Sequence, residues 1–264
     1  MAEIVRVSGA AHMTKKPFVS IVTLTHNEWP YTQLCLANIR KHTHVPHEVI
    51  VVDNGSTDGT VARLRDSEPR SPWLRVVENK ANRGFPAGMN RGMERARGDY
   101  IVLLNNDTVP SFRWLDNPLH LFQEKRRAGI VGPVSNRVIR QQKVKTRCRS
   151  VTDIHRFSRR YNRLNPAKWK KTKLLSGFCM IFPRQLMEDI GELDERFGAG
   201  TYEDDDYCLR AQMAGYTCWI AGDTYVHHFG NRSFKRRGRR EFRKILRQNR
   251  QYYMYKWGKK PVNG

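Results

Sequence analysis

Two stretches decide the fold: VSIVTLTHNE at residues 19–28 and EVIVVDNGS at residues 48–56. Each opens as a short, continuous apolar run rich in β-branched residues and closes on a polar cluster, the pattern of a strand buried on both faces. Between them Pro30 opens a helix that runs to about Lys41, because proline is tolerated in a first helical turn. Thr57 or Asp58 caps a second helix through Leu64. Working outward, residues 74–77 form a third strand, 86–96 a helix, and 100–104 (YIVLL) a fourth strand that ends at Asn105-Asn106-Asp107. Continuous apolar strands alternating with helices imply a mostly parallel, Rossmann-like α/β sheet covered on both faces.

In such a sheet, ligands bind beyond the carboxyl ends of the strands. Three polar clusters fall there: Thr25-His26-Asn27-Glu28, Asp53-Asn54-Gly55-Ser56 and Asn105-Asn106-Asp107. Their convergence predicts a site without any knowledge of relatives. Beyond residue 110 the order loosens. A helix is expected over 114–125, a short strand over 129–133, and a long basic loop over 137–173 with one helix near 152–163. An apolar strand over 174–182 (LLSGFCMIF) leads into a helix from Pro183. A helix over 203–213 opens with four consecutive acids, and 225–228 reads as a late strand end. Phe242, Ile245, Leu246 and Tyr253 make one stripe on a basic C-terminal helix. No internal repeat is present.

The chain has 264 residues, 39% of them hydrophobic, enough for a sizeable core. No apolar run approaches the ~20 residues that span a bilayer, and the N-terminus lacks a secretory pattern. Residues 1–13 resemble an expression tag, with Met13 as the expected native start. Cys35, Cys148, Cys179, Cys208 and Cys218 form no Cys-x-x-Cys pair, which fits a reducing, cytoplasmic setting. The formal charge is +23, unevenly spread. Residues 137–173 carry 14 Lys and Arg against Asp153 alone, residues 235–260 carry 12 against Glu241 alone, and the remainder nets −1. The expected organisation is a catalytic domain over 14–231, with a nucleotide half (14–110) and an acceptor half (111–231) that holds the basic insert 137–173. A basic helical extension follows over 232–264.

The residues suited to chemistry each have a plainer reading beside the functional one. A strand-end carboxylate such as Asp53 can accept from a base N–H or a ribose hydroxyl, although Asp-Asn-Gly-Ser is also good turn material. Asn82-Arg83-Gly84 and Ala87-Gly88-x-Asn90 offer small residues and backbone donors to phosphate, a weak signal. Asp107 suits a hard divalent cation bridging a diphosphate, yet Asn-Asn-Asp-Thr is turn-like too. Acids at a helix N-terminus are favoured by the macrodipole, but Glu203, Asp204, Asp205 and Asp206 in a row repel one another. Such crowding raises a carboxylate pKa towards general-base duty. His227-His228 is either packing or a metal ligand.

In order along the chain, SIVTLTHNE, VIVVDNGSTDGT, NRGFPAGMNRGM, GDYIVLLNNDTVP, LLSGFCMIFPRQLMEDIGELDERF, YEDDDYCLRAQMAGY and VHHFG resemble the family-2 glycosyltransferases of GT-A fold, over roughly residues 18–231. The resemblance implies an inverting transfer of a sugar from a nucleoside diphosphate, a uridine diphosphate favoured, with Mn²⁺ or Mg²⁺. It implies Thr25, Glu28 and Asp53 as nucleoside contacts. His26, Asn82, Arg83, Asn105 and Asn106 fall in the donor region. Asp107 corresponds to the metal-binding acid of the family's Asp-x-Asp, whose first acid is Asn105 here, so the site loses one charge. Asp204 corresponds to the catalytic base, with Glu203 the competing assignment. His227, or else His228, corresponds to the late metal or diphosphate ligand. Ser176, Gly177 and Asp194 fall in the acceptor- and sugar-facing region, and Asp206 is either structural or acceptor-facing.

The basic segments admit an acidic acceptor, an anionic membrane at its inner face, or nucleic acid. A nucleic-acid or polyanion binder is the rival reading, against which stand the near-neutral core and the acidic run. A nucleotidyltransferase would want a glycine-rich phosphate loop after the first strand, where this chain has Thr-His-Asn-Glu.

Overall fold

In a computed structural model, which describes residues 16–230 and 238–262, the two deciding stretches form β1 (Val19–Thr25) and β2 (His47–Asn54). They pair in parallel, with Thr25 beside Asp53. The tag reading of residues 1–13, and the extension at 232–237 and 263–264, lie outside the described residues. β3 (Leu74–Asn79) adds in parallel beyond β2, and β4 (Tyr100–Asn105) on the other flank of β1. The crossovers are α1 (Trp29–His42), α2 (Thr60–Ser67) and α3 (Phe85–Met93). α3 seats closely on the sheet because Gly88 and Gly92 face it. A Cβ at these positions would lie 2.4 Å from the Leu24 side chain and 2.3 Å from that of Val22.

The second half supplies β5 (Thr108–Val109), α4 (Asp116–Glu124), β6 (Ala128–Val134), α5 (Val151–Tyr161), β7 (Trp169–Thr172), β8 (Cys179–Pro183) and α6 (Arg184–Ile190). It ends with α7 (Glu203–Met213), β9 (Thr217–Tyr225), β10 (His227–His228) and α8 (Arg239–Trp257). One eight-stranded sheet results, in the order β3-β2-β1-β4-β8-β6-β9-β7, with a small β10–β5 ribbon beside it. β1–β4 are parallel and β6 runs parallel to β9. β8 is antiparallel to β4 and β6, and β7 to β9. The sheet is thus largely parallel, and mixed in its second half. Apolar side chains pack on both faces, around Ile39, Trp114 and Leu121 on one and Met89, Phe182 and Tyr207 on the other.

Several expected boundaries shift. α2 starts at Thr60, after Gly59 in the left-handed region (φ 80°), while Asp58 accepts from the Thr60 N–H at 3.1 Å. The run 174–182 is a strand only from Cys179. Leu174 and Leu175 are buried before the strand begins, so one apolar run serves two roles. Most of β9, and all of β7 inside the basic stretch, go unforeseen. At the opposite edge from the site, buried Glu48 ties the sheet together. It accepts from Ser20 Oγ (2.8 Å), from the Arg97 guanidinium (2.9 Å) and from Arg75 (3.3 Å). Burial pushes this carboxyl up, but those donors hold it below its ordinary range.

Candidate active site

β2 carries two buried acids, and their difference marks the site. Glu48, near its amino end, is satisfied by cations. Asp53, near its carboxyl end, is fully buried and accepts from the Ser56 N–H through Oδ1 (2.8 Å), while its Oδ2 has no hydrogen-bond partner. A buried carboxylate oxygen without a donor costs on the order of 1–3 kcal/mol, which makes Asp53 Oδ2 an acceptor with capacity to spare. Around it, His26 donates from Nδ1 to the Asn54 carbonyl (3.0 Å), and the Thr25 and Thr32 hydroxyls share a bond of 2.8 Å. Asn27 (φ 59°) and Glu28 (φ 70°) are both left-handed, a strained turn from β1 into α1. Asn54 braces the third loop by donating to Asn82 Oδ1 (3.1 Å) and accepting from the Arg83 N–H (3.0 Å). Asn106 turns away from the cleft and donates to Thr32 Oγ1 at 3.0 Å.

At the end of β4, buried Asp107 faces His228, not His227. Nε2 of His228 lies 3.1 Å from Asp107 Oδ1 and 3.4 Å from Asn105 Nδ2. His227 instead bonds the Tyr225 hydroxyl through Nδ1 (2.8 Å). Burial and the neighbouring His228 lower its pKa to about 4, so it is a neutral, packed imidazole. The Nδ1 of His228 donates to the Arg137 carbonyl at 2.9 Å. That leaves Nε2 facing a carboxylate oxygen, a pair that a shared proton or a cation satisfies, and a carbonyl on the far nitrogen is the usual brace of a metal-ligating histidine. Among the described residues no group of three or more His, Cys, Asp and Glu is placed to hold a metal ion by itself. The donor set therefore fits a divalent ion only with ligands supplied from outside the protein, as a diphosphate would.

The acidic run splits by side. Asp204, the most open of the four, accepts from the Gly177 N–H through Oδ2 (2.9 Å) and from the Asp205 N–H (3.0 Å). Burial raises its pKa against those donors. Buried Glu203 leaves Oε2 unpartnered, and burial together with Asp204 pushes its carboxyl well up. Asp205 is raised to about 8 by burial and by Asp204. Ser176, next to Gly177, is fixed by its N–H donating to Gln142 Oε1 (2.8 Å).

Two expected site residues turn away. Asp194 accepts from Tyr252 Oη, Lys256 Nζ and Arg196, each at 2.8 Å. Asp206, fully buried, accepts from Lys256 Nζ (2.6 Å), Trp257 Nε1 (2.8 Å) and Arg210 (2.9 Å). Both fasten α8 to the acceptor half. Sequence reasoning missed Asn249, whose amide donates to the carbonyls of Phe197 (2.8 Å), Gly200 (2.7 Å) and Thr201 (3.2 Å). It also missed Asn136, whose Oδ1 accepts from the His228 N–H (2.9 Å). For Asn136 a signal existed, since it too is a polar residue just after a buried strand.

This sheet order, with acids above the ends of β2 and β4 and at the start of α7, defines the GT-A class of nucleotide-sugar fold. More particularly, the model of the family described as "Glycosyl transferase family 2" matches residues 20–191, and the chain belongs to that family. Among curated relatives, glycosyltransferase AglE of Haloferax volcanii is 27% identical, covering 80% of this chain and 67% of its own length. The N-acetylglucosaminyl-diphospho-decaprenol L-rhamnosyltransferase of Mycobacterium tuberculosis is 25% identical, covering 79% and 75%. Among solved structures, the mannosyltransferase PcManGT from Pyrobaculum calidifontis in complex with GDP-Man and Mn²⁺ is similar at TM-score 0.62 and 25% identity, covering 81% of this chain and 57% of that one. GalNAc-T7 with UDP, GalNAc and Mn²⁺ is similar at TM-score 0.65 and 14% identity, over 81% and 43%, a likeness of fold. The chain thus spans about half the length of these solved neighbours. Among the described residues, no helix is long and apolar enough to cross a membrane.

Proposed function

We propose that the chain is an inverting glycosyltransferase that moves a sugar from a nucleoside diphosphate, uridine diphosphate favoured, to an acceptor hydroxyl. The observation that carries this reading is the unpartnered Oδ2 of Asp53, a buried acceptor on the same sheet edge as the Asp107–His228 pair and Asp204. Asp53, with Thr25, His26 and Glu28 around it, takes the nucleoside. Asn82 and Arg83 lie beside its path. Asp107 and His228 would hold Mn²⁺ or Mg²⁺, with Asn105 alongside; when bound, such an ion neutralises charge on the departing diphosphate. Asp204 takes the acceptor proton. It is the acid that reaches the cleft, and the Gly177 N–H fixes the direction of its carboxylate. Glu203, deeper and protonated more readily, supports it.

The neighbours differ in base, GDP-Man in one and UDP in the other, so the base is the first thing to measure. The exposed side of α8 offers Arg240, Arg243, Lys244 and Arg247, then Met254 and Tyr255. That surface supports a cytoplasmic protein lying peripherally on the inner face of an anionic membrane, with an acidic or membrane-borne acceptor. The test is thermal shift with uridine, guanosine, adenosine and thymidine diphosphates, each with and without Mn²⁺. A ligand at a hundred times its Kd adds about 2.7 kcal/mol. One base should stabilise, and only with metal. No shift with any of them would remove the donor reading.

A further inference from the structure

One cavity lies off the path from Asp53 to Asp107. It has a volume of about 440 Å³ and opens between the end of β6, the loop before β8, and β10. Its polar lining is Asn136, Arg137, Lys143, Ser176 and His228, with no carboxylate among the described lining residues. Val138 and Ile139 add an aliphatic wall. That volume is in the range of small-ligand sites.

Sheet order says which substrate it serves. From the Asp53 strand the order runs β2-β1-β4-β8-β6. The cavity therefore runs from His228, beside Asp107, to the end of β6, two strands beyond the Asp107 strand and ~10 Å away at ordinary strand spacing, on the side away from the nucleoside. It meets the reacting groups at two points. His228 is shared with the Asp107 pair, and Ser176 is one peptide from Gly177, whose N–H holds Asp204. Part of the lining is held by hydrogen bonds. Gln142, fully buried, fixes Ser176 and the Pro133 carbonyl at 2.8 Å each, and Arg137 donates to the Phe229 carbonyl at 2.9 Å.

We infer that this cavity is an acceptor subsite for a phosphate group, so that the acceptor is a phosphate-bearing compound whose attacked hydroxyl faces Asp204. The inference rests on the donor reading above and adds the substrate class. Two cations beside hydroxyl and amide groups, with no acid among the described lining residues, are the chemistry of phosphate recognition. The cations also separate charge. They hold the acceptor's negative group away from Asp204 and leave the carboxylate free for the hydroxyl. The phosphate could belong to a free sugar phosphate or to a lipid-borne one, for which Val138 and Ile139 offer the first apolar contact.

The experiment titrates the full chain, saturated with uridine diphosphate and Mn²⁺, with glucose 1-phosphate, geranyl phosphate and glucose, following binding by calorimetry. Both phosphates should bind at least ~10-fold tighter than glucose, the size of one charge-assisted interaction. The tighter of the two names the free or the lipid-borne source. Lys143→Gln should erase most of that preference while uridine diphosphate affinity moves less than two-fold. Arg137 is the poorer choice, because its guanidinium also holds the Phe229 carbonyl next to His228. Equal binding of glucose and glucose 1-phosphate, or a preference that survives Lys143→Gln, overturns the subsite. If Lys143→Gln weakens the nucleotide as much as the phosphates, the cavity belongs to the donor's diphosphate and the inference falls. If no nucleotide binds, the donor reading fails separately, and the same titrations on nucleotide-free protein still decide the cavity.

Discussion

Two strained turns frame the site, and they are held in opposite ways. Asn27-Glu28, between β1 and α1, is tied by its own neighbourhood. The Asn27 N–H donates to Ser56 Oγ (2.7 Å), Asn27 Oδ1 accepts from the Thr57 N–H (2.7 Å), and both partners sit at the end of the adjacent strand. Thr201 (φ 81°) and Tyr202 (φ 67°), before α7, are costly left-handed residues. What satisfies their loop comes from far away in sequence: Asn249 on α8, flanked by the Lys256 link to Asp194 and Asp206. Gly198 of that loop also accepts from the Phe85 N–H at 3.0 Å, so the donor half feels the same brace. The Asp53 end is a local product of the sheet. The Asp204 end is assembled by a helix far along the chain.

The largest effect expected from this contrast is chemical. Asp204→Asn keeps the Gly177 contact but cannot take a proton, so transfer should fall about 10²–10⁴-fold while nucleotide-induced thermal shift is unchanged. Turnover at the parental rate would move the base to Glu203 or abolish the assignment.

Next comes the brace. Lys256→Met leaves Asp206, fully buried, with Arg210 and Trp257 but without its ammonium, and removes one partner of Asp194. Removing one member of a buried pair costs about 3–5 kcal/mol, and the remaining donors place this case at the lower end. Denaturant unfolding should show that loss, and transfer should fall further than nucleotide affinity does. A stability change within error would mean that α8 is a passive appendage.

The same contrast explains what could be read from sequence. β1, β2 and β4 are continuous apolar runs ending in polar clusters, because a parallel strand buried on both faces has no room for anything else. Their ends therefore announced themselves. β9 did not, since TCWIAGDTY carries Asp223 in a buried position. One oxygen of that carboxylate accepts from the neighbouring Thr224 hydroxyl (3.1 Å), but the other is satisfied by the Trp169 indole (3.0 Å) and the Asn165 N–H (2.9 Å), more than fifty residues upstream. Asp194, and Asp206 in one of its two readings, looked like site acids for the same reason, because their partners Tyr252, Lys256 and Trp257 lie on a helix no local pattern connects to them. His227 and His228 are adjacent in a two-residue strand and point to opposite sides. Only Asn136 and the Arg137 carbonyl decide which one faces Asp107.

The smallest expected effect is a pH dependence that separates the two kinds of acid. Asp205, nearly buried beside Asp204 and under Tyr202 and Tyr253, has its carboxyl pushed to about 8 by burial and by Asp204, even though the Val262 N–H opposes the shift. Its unfolded value is about 4. Between those two values the folded state binds the extra proton, so stability falls as pH rises from about 4 to about 8. Asp194 has the reverse sign. Burial would raise it, but Arg196, Lys256 and Tyr252 hold it well below the ordinary range, so its contribution is present above about pH 4 and is lost on acidification. Asp205→Asn should therefore raise the melting temperature at pH 8 more than at pH 5. The difference should appear as melting curves that diverge with rising pH, at about 2–4 °C per kcal/mol for a chain of this size. An Asp205→Asn profile parallel to the parent's would mean that Asp205 ionises freely in the folded protein, and that the crowding of acids at the start of α7 is relieved by Glu203 alone.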